Sequence, residues 1–532
     1  MATSYQSPGV YVEEVDRGTK PIEGVGTSVA AFIGFTSRAE EPPRNGGEPV
    51  SLLNTATLVT NWNQFTQKFG GFVEGAYLPQ AVYGYFANGG GRCYIVSVNT
   101  LGASVDPEMA QPAGVALPSA TDPASETLLI KARSGGPAGN ELSVEIKHER
   151  PPEGQQESDT FILIVKRGST EVERFDGLTL GSGDRNAETM VSTQSKVILA
   201  KVVRKQGKLT ERRPAEGSYR LQGGEIKALT VSAPQFEGDP AKRQGLGALE
   251  ALDDVTMVVV PDLMASFQAG HIDLDGVRAV QGALLDHCER MKYRFAILDS
   301  PPGMSPQEIA DWRKNKAGYD SKFGALYYPW IRIQSPFGAD AGNLAIPPSG
   351  HMAGIYARTD SQRGVHKAPA NEVVMGAVGV ELNVTKGEQD GLNPIGINCL
   401  RAFPGRGLRV WGARTLSSDP SWRYINVRRL FNFVEASIEG GTQWVVFEPN
   451  DQDLWARVRR DVSAFLRNVW RGGALFGATP EEAFYVKCDE ELNPIEVRDA
   501  GQLIIEVSLA PVKPAEFVIF RISQWTGPNA ET

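Results

Sequence analysis

The chain has 532 residues, enough for about three or four domains. With 41% hydrophobic and 22% charged residues, it has the composition of a globular protein with a sizeable core. The net charge of −9 argues against a general binder of nucleic acid or of acidic membranes. The four cysteines include no CxxC pair, so we expect no metal site and infer a reducing compartment.

The N-terminal residues 1–26 lack the basic and apolar regions of a signal peptide. No apolar run approaches the length of about 18 residues that a membrane helix needs. We therefore expect assembly in the cytoplasm without direct membrane insertion. Gly9–Val15 favours an extended strand but carries too little apolar surface to pack alone. Residues 1–26 are thus predicted to be an arm that docks on a sheet, with terminal disorder as the alternative.

Residues 27–102 and 246–370 alternate strand and helix patterns, which predicts an α/β middle domain. Between them, residues 103–245 have short alternating apolar runs and many Pro, Ser and Gly residues, which indicates an inserted β-rich outer domain. The predicted strands of the middle domain are Ser28–Phe35, Arg92–Val98, Val255–Pro261, Phe295–Asp299 and Ala325–Ile333, and its helices are Thr60–Phe69, Leu78–Ala87, Gly276–Met291, Ser305–Lys316 and one starting near Pro347.

Residues 371–510 are predicted to form a C-terminal inner α/β domain, and residues 511–532 a second arm. Residues 401–480 hold twelve Arg, no Lys and seven Asp or Glu, a local balance of +5. The predicted elements are strands Ile397–Pro404, Leu408–Arg414, Gln443–Phe447, Ala483–Cys488 and Gln502–Ala510, helices Tyr424–Glu439 and Asp453–Arg471, and a last strand, Glu516–Ser523, in the arm.

The helix predicted at Asp453–Arg471 is amphipathic. Its apolar residues fall within an arc of roughly 100°. Four arginines lie on the opposite side, in a stripe roughly 80° wide. The alternative to a binding face is an ordinary solvated surface helix. The arginines of the stripe are Arg457, Arg460, Arg467 and Arg471.

Patterns typical of catalysis or of cofactor binding are missing from the sequence. The glycines Gly89–Gly91 follow a helix and precede a strand, the reverse of a phosphate-binding loop, and are predicted to cap that helix. Asp299 stands where α/β enzymes place a catalytic acid, but Pro301 and Pro302 beside it favour a turn. No G-x-x-x-x-G-K-[ST] or G-x-S-x-G sequence occurs, so we expect no cofactor and no enzyme activity.

Several stretches together resemble contractile tail sheath proteins of phages and of phage-tail-like injection particles. They occur in the same order across the whole chain, except in residues 103–245. The matching stretches are SPGVYVEEV, NGGGRCYIV, LDSPPG, PPSGHMAGIYARTDSQRGVHKAPAN, INCLRAFPGRGLRVWGARTL, NVRRLFNFVEASIEGGTQWVVFEPN, LRNVWRGGALFG and KPAEFVIFRIS.

The resemblance implies a tail-sheath fold: an α+β and α/β multidomain subunit with extended N- and C-terminal arms. It implies a non-enzymatic homo-oligomer, a helical sheath of stacked rings around an inner tube, with a baseplate, a terminator or cap and, as a further option, paralogous sheath subunits as partners. Both arms would complete a sheet in a neighbouring subunit, with Gly18–Gly26 and Pro511–Pro514 as flexible linkers. The residues of this strand exchange would be Gly9, Val10, Tyr11, Val12, Glu13, Glu14 and Val15, and Glu516, Phe517, Val518, Ile519, Phe520, Arg521 and Ile522.

An innermost helix of the C-terminal domain attaches the sheath to the tube in this family. The resemblance assigns that role to Asp453–Arg471, with the four arginines facing an acidic tube. Contraction would then draw on a metastable extended assembly, without nucleotide. The alternatives are an α/β enzyme and a monomeric carbohydrate- or receptor-binding protein built on the insertion.

Overall fold

The computed structural model describes residues 21–41, 49–101, 110–135, 137–148, 159–168, 170–203, 207–226, 232–338 and 342–522. The strand predicted at Gly9–Val15 lies outside this part of the chain. The described strands are β1 (Ala30–Thr36), β2 (Glu40–Glu41), β3 (Val50–Ser51), β4 (Thr57–Val59), β5 (Cys93–Thr100), β6 (Ala110–Gln111), β7 (Gly114–Pro118), β8 (Glu126–Ala132), β9 (Leu142–His148), β10 (Phe161–Arg167), β11 (Thr170–Leu178), β12 (Ile198–Val202), β13 (Gly217–Arg220), β14 (Glu225–Ile226), β15 (Met257–Val259), β16 (Phe295–Asp299), β17 (Gly324–Tyr328), β18 (Ile331–Gln334), β19 (Asn343–Ile346), β20 (Ala377–Val380), β21 (Ile397–Phe403), β22 (Gly407–Val410), β23 (Phe484–Lys487) and β24 (Glu506–Leu509).

The helices bear out most of the periodicity in the sequence, including the exact bounds predicted for α2. The helix predicted at Ser305–Lys316 is α8 followed by a π-helical turn at Trp312–Ala317. The described helices are α1 (Trp62–Phe69), α2 (Leu78–Ala87), α3 (Ala187–Gln194), α4 (Leu209–Arg212), α5 (Ala233–Glu237), α6 (Asp262–Gln268), α7 (Leu274–Met291), α8 (Pro306–Asp311), α9 (Ser349–Arg363), α10 (Lys386–Leu392), α11 (Ile425–Gly441), α12 (Gln452–Arg471), α13 (Pro480–Ala483) and α14 (Ile495–Asp499).

An eight-stranded sheet forms the centre of the subunit, in the order β22-β21-β17-β16-β15-β1-β5-β4. The strands from β21 to β5 pair in parallel, and the two edge strands are antiparallel. All seven residues of β1 are buried, as expected for a parallel strand covered on both faces. Ala31 and Ile33 pack in the core that contains α7, whereas Ala30 and Phe32 pack in the core that contains α2 and α9. This sheet confirms the predicted α/β texture.

The central sheet extends beyond residue 370, where the sequence analysis placed the start of the C-terminal domain. Strand β21 pairs with β17, with Leu326 opposite Ile397, and β22 pairs with β21 at the sheet edge. A boundary at residue 370 therefore divides this sheet. Helix α11 connects the two parts: Ile425 packs in a core of the central sheet, whereas Leu430 and Val434 pack in the separate C-terminal core.

The β-rich segment between β5 and β15 has a hydrophobic core of its own. It contains a four-stranded sheet, β11-β10-β9-β13, and a three-stranded sheet, β12-β8-β7. Val144 and Leu163 face this core from neighbouring strands, and alternate residues of β12 are exposed. The short alternating runs of the sequence thus correspond to antiparallel strands with one solvated face.

Five predicted strands differ from the structure, and two of these are only shorter: the strand predicted at Leu408–Arg414 ends at Val410, and the one predicted at Gln502–Ala510 is limited to Glu506–Leu509. The other three differ in kind. Ala325–Ile333 is two strands, β17 and β18, because Pro329 between them has no N–H for the ladder; β18 pairs with β19 and β20 in a separate sheet. Gln443–Phe447 is not a strand but a 3₁₀ turn at Gln443–Val445 followed by an exposed loop. The described part of Glu516–Ser523, residues 516–522, forms no strand within this subunit.

Helices α11 and α12 and the hairpin β23–β24 share a fourth hydrophobic core. Ile22, near the start of the described chain, is 7% exposed and belongs to this core. Val25 N donates a hydrogen bond to Ser437 Oγ at 3.1 Å, so the chain before β1 lies along α11. Ile22 and Val25 thus contact the subunit, while the other described residues of the linker predicted at Gly18–Gly26 are exposed; its flexibility stays a prediction.

Candidate functional site

Helix α12 packs with α11 and with the hairpin β23–β24 in the C-terminal core, and its opposite side is exposed. Asp451 caps its N-terminus, since Leu454 N donates to Asp451 Oδ1 at 2.9 Å. The apolar stripe predicted from the sequence is confirmed as the face that packs into the core. The buried residues of α12 are Leu454, Trp455, Val458, Asp461, Val462, Phe465 and Leu466.

The four predicted arginines are all exposed on the opposite side of α12. Arg457 pairs with Glu448 at 3.6 Å and lies over the Trp444 ring. Arg460 pairs with Asp461, the next residue on the same helix, at 3.0 Å. Among the described residues Arg467 and Arg471 have no ion-pair partner, so the C-terminal half of the stripe carries the uncompensated positive charge.

Much of the +5 balance counted over residues 401–480 does not lie on this surface. Arg429 forms a bidentate pair with Asp360, and both side chains are 4% exposed. Arg428 is 3% exposed and stacks near Trp422 and Phe323. These arginines are used inside the subunit, which a count of charges along the sequence could not reveal.

Two exposed apolar positions lie beside α12 and were missed by the sequence analysis. Val446 is 61% exposed, and Phe447 is fully exposed with φ +69°, a rare backbone conformation for a bulky residue. Both lie in the loop that leads into α12. The sequence did not reveal the exposure of these two side chains, because the apolar run Gln443–Phe447 resembles a short buried strand.

The hairpin β23–β24 packs against the buried side of α12 and has two unpaired outer edges among the described residues. Phe484 pairs with Leu509 and Lys487 with Glu506. Val486 faces the core, and Tyr485 is 55% exposed on the other face. A two-stranded sheet is marginal by itself and offers both edges to added strands.

The first residues of the C-terminal arm lie along their own subunit. Pro511 forms a bridge with Leu475, and Val512 N donates to Ala474 O at 3.2 Å. Asn426 Nδ2 donates to Val512 O at 3.1 Å. The segment predicted as the second flexible linker, Pro511–Pro514, is thus partly held by its own subunit.

Glu516 marks the end of the held part of this arm. Its carboxylate accepts hydrogen bonds from Asn393, Arg414 and Tyr424. From residue 517 onwards every described residue is exposed. The exposed apolar side chains are Phe517 at 71%, Val518 at 71%, Ile519 at 77%, Phe520 at 83% and Ile522 at 95%. Five of the six described residues from 517 to 522 are therefore apolar and exposed, and Arg521 is the sixth.

Asp299, the one position that the sequence analysis weighed as a catalytic acid, has a structural role. Ser349 N and Oγ both donate to the carboxylate of Asp299, which thereby holds the N-terminus of α9. Burial raises the pKa of Asp299 to about 7. His351 is buried among apolar residues, and burial lowers its pKa to about 4. The described residues contain no cluster of His, Cys, Asp or Glu that could hold a metal ion, and none of their helices has the length and apolarity of a membrane span.

Comparison with known families assigns the C-terminal half of the chain. Residues 242–416 match the phage tail sheath protein central domain, and residues 417–524 match the phage tail sheath C-terminal domain. Together these matches cover more than half of the 532 residues. The chain belongs to the contractile tail sheath family. The division between the two family domains, at residues 416 and 417, lies between β22 and α11.

Curated relatives are tail sheath proteins of phages. The chain is 24% identical to that of Vibrio phage KVP40, over 69% of this chain but 55% of the relative. A putative prophage major tail sheath protein of Pseudomonas aeruginosa is 27% identical over 47% of this chain and 63% of the relative. The chain therefore spans less than two thirds of these two proteins. The tail sheath protein of Burkholderia phage BcepMu is 23% identical over 97% of this chain and 96% of its own length.

Solved structures with the same fold come from contractile injection particles. A chain of the anti-feeding prophage helical sheath in the contracted state aligns with a TM-score of 0.58 and 25% identity, over 98% of this chain and 100% of that chain. A chain of the anti-feeding prophage baseplate aligns with a TM-score of 0.56 and 25% identity over the same shares. These alignments include the β-rich insertion and confirm the predicted sheath fold.

Proposed function

We propose that this chain is the structural subunit of a contractile sheath, which polymerises helically around an inner tube and contracts from a metastable extended state. The observation that carries this proposal is the exposed arm at residues 517–522, on a subunit whose hairpin β23–β24 has free edges. An apolar strand and an open sheet edge on the same chain fit head-to-tail addition. Head-to-tail contacts generate an open helical assembly when the rotation between neighbouring subunits does not close a ring, and strand addition gives such contacts a direction.

The arm at residues 517–522 is proposed to pair with the hairpin of a neighbouring subunit, and residues 9–15 to add to the same sheet. Main-chain hydrogen bonds would supply direction, and the apolar side chains would be covered by the host subunit. The double substitution Phe520→Asp and Ile522→Asp tests this step. We expect it to abolish long polymers in negative-stain micrographs, while the unassembled chain keeps the circular dichroism of the wild type. Long polymers of the double variant would contradict strand exchange.

The arginine stripe of α12 is proposed to face the tube. Exposed ion pairs contribute only about 0–1 kcal/mol each, so many weak copies would hold the tube and still release it during contraction. Because Arg467 and Arg471 lack partners within the described subunit, we expect their reversal to glutamate to abolish co-sedimentation with an acidic tube protein. Arg423, which is exposed outside the stripe, is the matched control, and Arg423→Glu should co-sediment normally. If the variant with Arg467 and Arg471 reversed co-sediments with the tube as well as Arg423→Glu does, the stripe does not bind the tube.

The sequence has no G-x-x-x-x-G-K-[ST] phosphate-binding loop, and contraction is proposed to use energy stored in the extended assembly. We expect purified extended sheaths to contract on mild destabilisation without added nucleotide. A requirement for ATP or GTP in sheaths of the purified chain would contradict this. The partners proposed from the sequence, the baseplate, a terminator or cap and paralogous sheath subunits, fit the same assembly, which is proposed to form in the cytoplasm.

A further inference from the structure

The carboxylate of Glu516 is held by side chains from three different parts of the chain. Its Oε1 accepts hydrogen bonds from Asn393 Nδ2 at 2.6 Å and from Arg414 Nε at 2.9 Å. Its Oε2 accepts from Arg414 Nη2 at 2.7 Å and from Tyr424 OH at 3.0 Å. The fork of Arg414 thus binds both oxygens, which is the strong, directional form of an arginine–carboxylate pair. We call Asn393, Arg414 and Tyr424 the Glu516 receptor.

The receptor is fixed to the centre of the subunit. The backbone of Arg414 is held by the buried Asn398 of β21, whose Oδ1 accepts from Arg414 N at 2.7 Å and whose Nδ2 donates to Arg414 O at 2.8 Å. Arg414 Nη1 also donates to Asn393 O at 3.3 Å. Tyr424 is the residue before α11. The receptor therefore lies where the central sheet meets the C-terminal elements.

The receptor is also largely shielded from solvent, because the side chains of Arg414 and Glu516 are 11% and 18% exposed. Burial by itself raises the pKa of Glu516, but hydrogen bonds from Arg414 and Asn393, together with the Arg414 charge, bring it below its usual value. Glu516 thus stays ionised and bound at neutral pH.

We infer that the Glu516 receptor fixes the root of the exchanged arm, so that residue 517 is the first that leaves the subunit and strand exchange has a single register. This inference rests on the proposed function. It also changes the role of Glu516, which the sequence analysis counted as part of the exchanged strand, to a positioning residue for that strand.

A fixed root has a consequence for the strand because side chains alternate between the two faces with a period of two. In an exchanged strand, Val518, Phe520 and Ile522 would share one face and form an uninterrupted apolar row. Phe517, Ile519 and Arg521 would share the other face, where Arg521 ends the apolar row. A shift by one residue would turn that apolar row away from the host subunit. A fixed root would also transmit force applied to the arm to the central sheet, through the hydrogen bonds of Arg414 and Asn398.

The test uses the full chain with Glu516→Gln, which keeps the side-chain shape and removes the charge. In the unassembled protein, we expect hydrogen exchange over residues 511–516 to rise roughly 10- to 100-fold, the scale of a lost charge-assisted hydrogen bond. Exchange in α12 should not change. In assembly reactions, we expect markedly shorter sheaths in negative-stain micrographs. Unchanged exchange at residues 511–516, or sheaths of wild-type length, would overturn the inference.

Two further variants keep the inference testable if Glu516→Gln fails to fold. Tyr424→Phe removes one of the hydrogen bonds and should give an intermediate effect on exchange and sheath length. A short glycine insertion between Glu516 and Phe517 leaves the receptor intact; it should shorten the sheaths without raising exchange at residues 511–516, and normal sheaths would contradict a fixed register. If the double aspartate variant of Phe520 and Ile522 also forms normal sheaths, the strand exchange itself is wrong.

Discussion

The buried pair between Arg429 and Asp360 joins three parts of the subunit. Arg429 Nη1 and Nη2 donate to the Asp360 carboxylate at 2.8 and 2.6 Å, and both side chains are 4% exposed. Arg429 Nη2 also donates to Thr27 O at 2.9 Å, and Thr27 Oγ1 donates to Asp360 at 2.6 Å. The pair therefore ties α11 to α9 and to the segment that leads into β1.

We predict that Arg429→Met strongly destabilises the fold. The substitution leaves the Asp360 carboxylate buried with no cation, and breaking a buried pair in this way costs about 3–5 kcal/mol. At about 2–4 °C per kcal/mol for a unit of roughly 200 residues, the melting temperature should fall by roughly 6–20 °C. Replacing both partners, with Asp360→Leu added, should recover most of the loss, because no uncompensated charge then remains.

Differential scanning calorimetry of the unassembled chain measures these shifts. Arg423→Met is the matched control: Arg423 is exposed in the turn before α11, and its replacement should change stability by no more than about 0.5 kcal/mol. Hydrogen exchange over residues 21–28 should rise with Arg429→Met, since Thr27 O loses its donor. A loss below about 1 kcal/mol for Arg429→Met, or a double variant as unstable as the single one, would refute the reasoning.

Three further predictions concern the packing and titration of the fold. Gly350→Ala should cost about 1–3 kcal/mol in thermal melting, because its Cβ would meet the Ala81 backbone across the α2–α9 contact, whereas Gly282→Ala, in open space on α7, should not destabilise. Leu466→Ala should cost about 2–5 kcal/mol by leaving a cavity under α12, and a near-neutral result would mean that this core collapses. Burial raises the pKa of Asp299 to about 7, so the folded state favours its protonated form; this contribution to stability is present at acid pH and is lost as pH rises through about 7. The melting temperature of the wild type should therefore fall from pH 4 to pH 8 relative to that of Asp299→Asn. Parallel melting profiles of the two proteins would contradict this prediction.

The sequence predicted the elements whose signal is local. Helix α12 has a strict apolar period and a capping aspartate, and β16 is a short apolar run ending at a polar residue, so both were located within a residue or two. Signals that depend on tertiary pairing were harder to interpret. The run Gln443–Phe447 has strand-like composition but no partner strand, and it becomes a turn that exposes Phe447.

The sequence identified residues of the candidate site but not the contacts that these residues make. The arginine stripe was found because helical spacing fixes which side chains share a face. The Glu516 receptor could not be found from spacing, since Asn393, Arg414 and Tyr424 are brought together only by the central sheet and the start of α11. Position 516 was assigned to the exchanged strand because composition alone does not show where an arm is held.

Electron cryo-microscopy of the polymer formed by this chain tests the central claim most directly. We predict that residues 517–522 form a strand paired with β23 or β24 of a neighbouring subunit, while Glu516 stays bound to Arg414 of its own chain. A polymer in which residues 517–522 lie against their own subunit, or a chain that remains monomeric under assembly conditions, would contradict it.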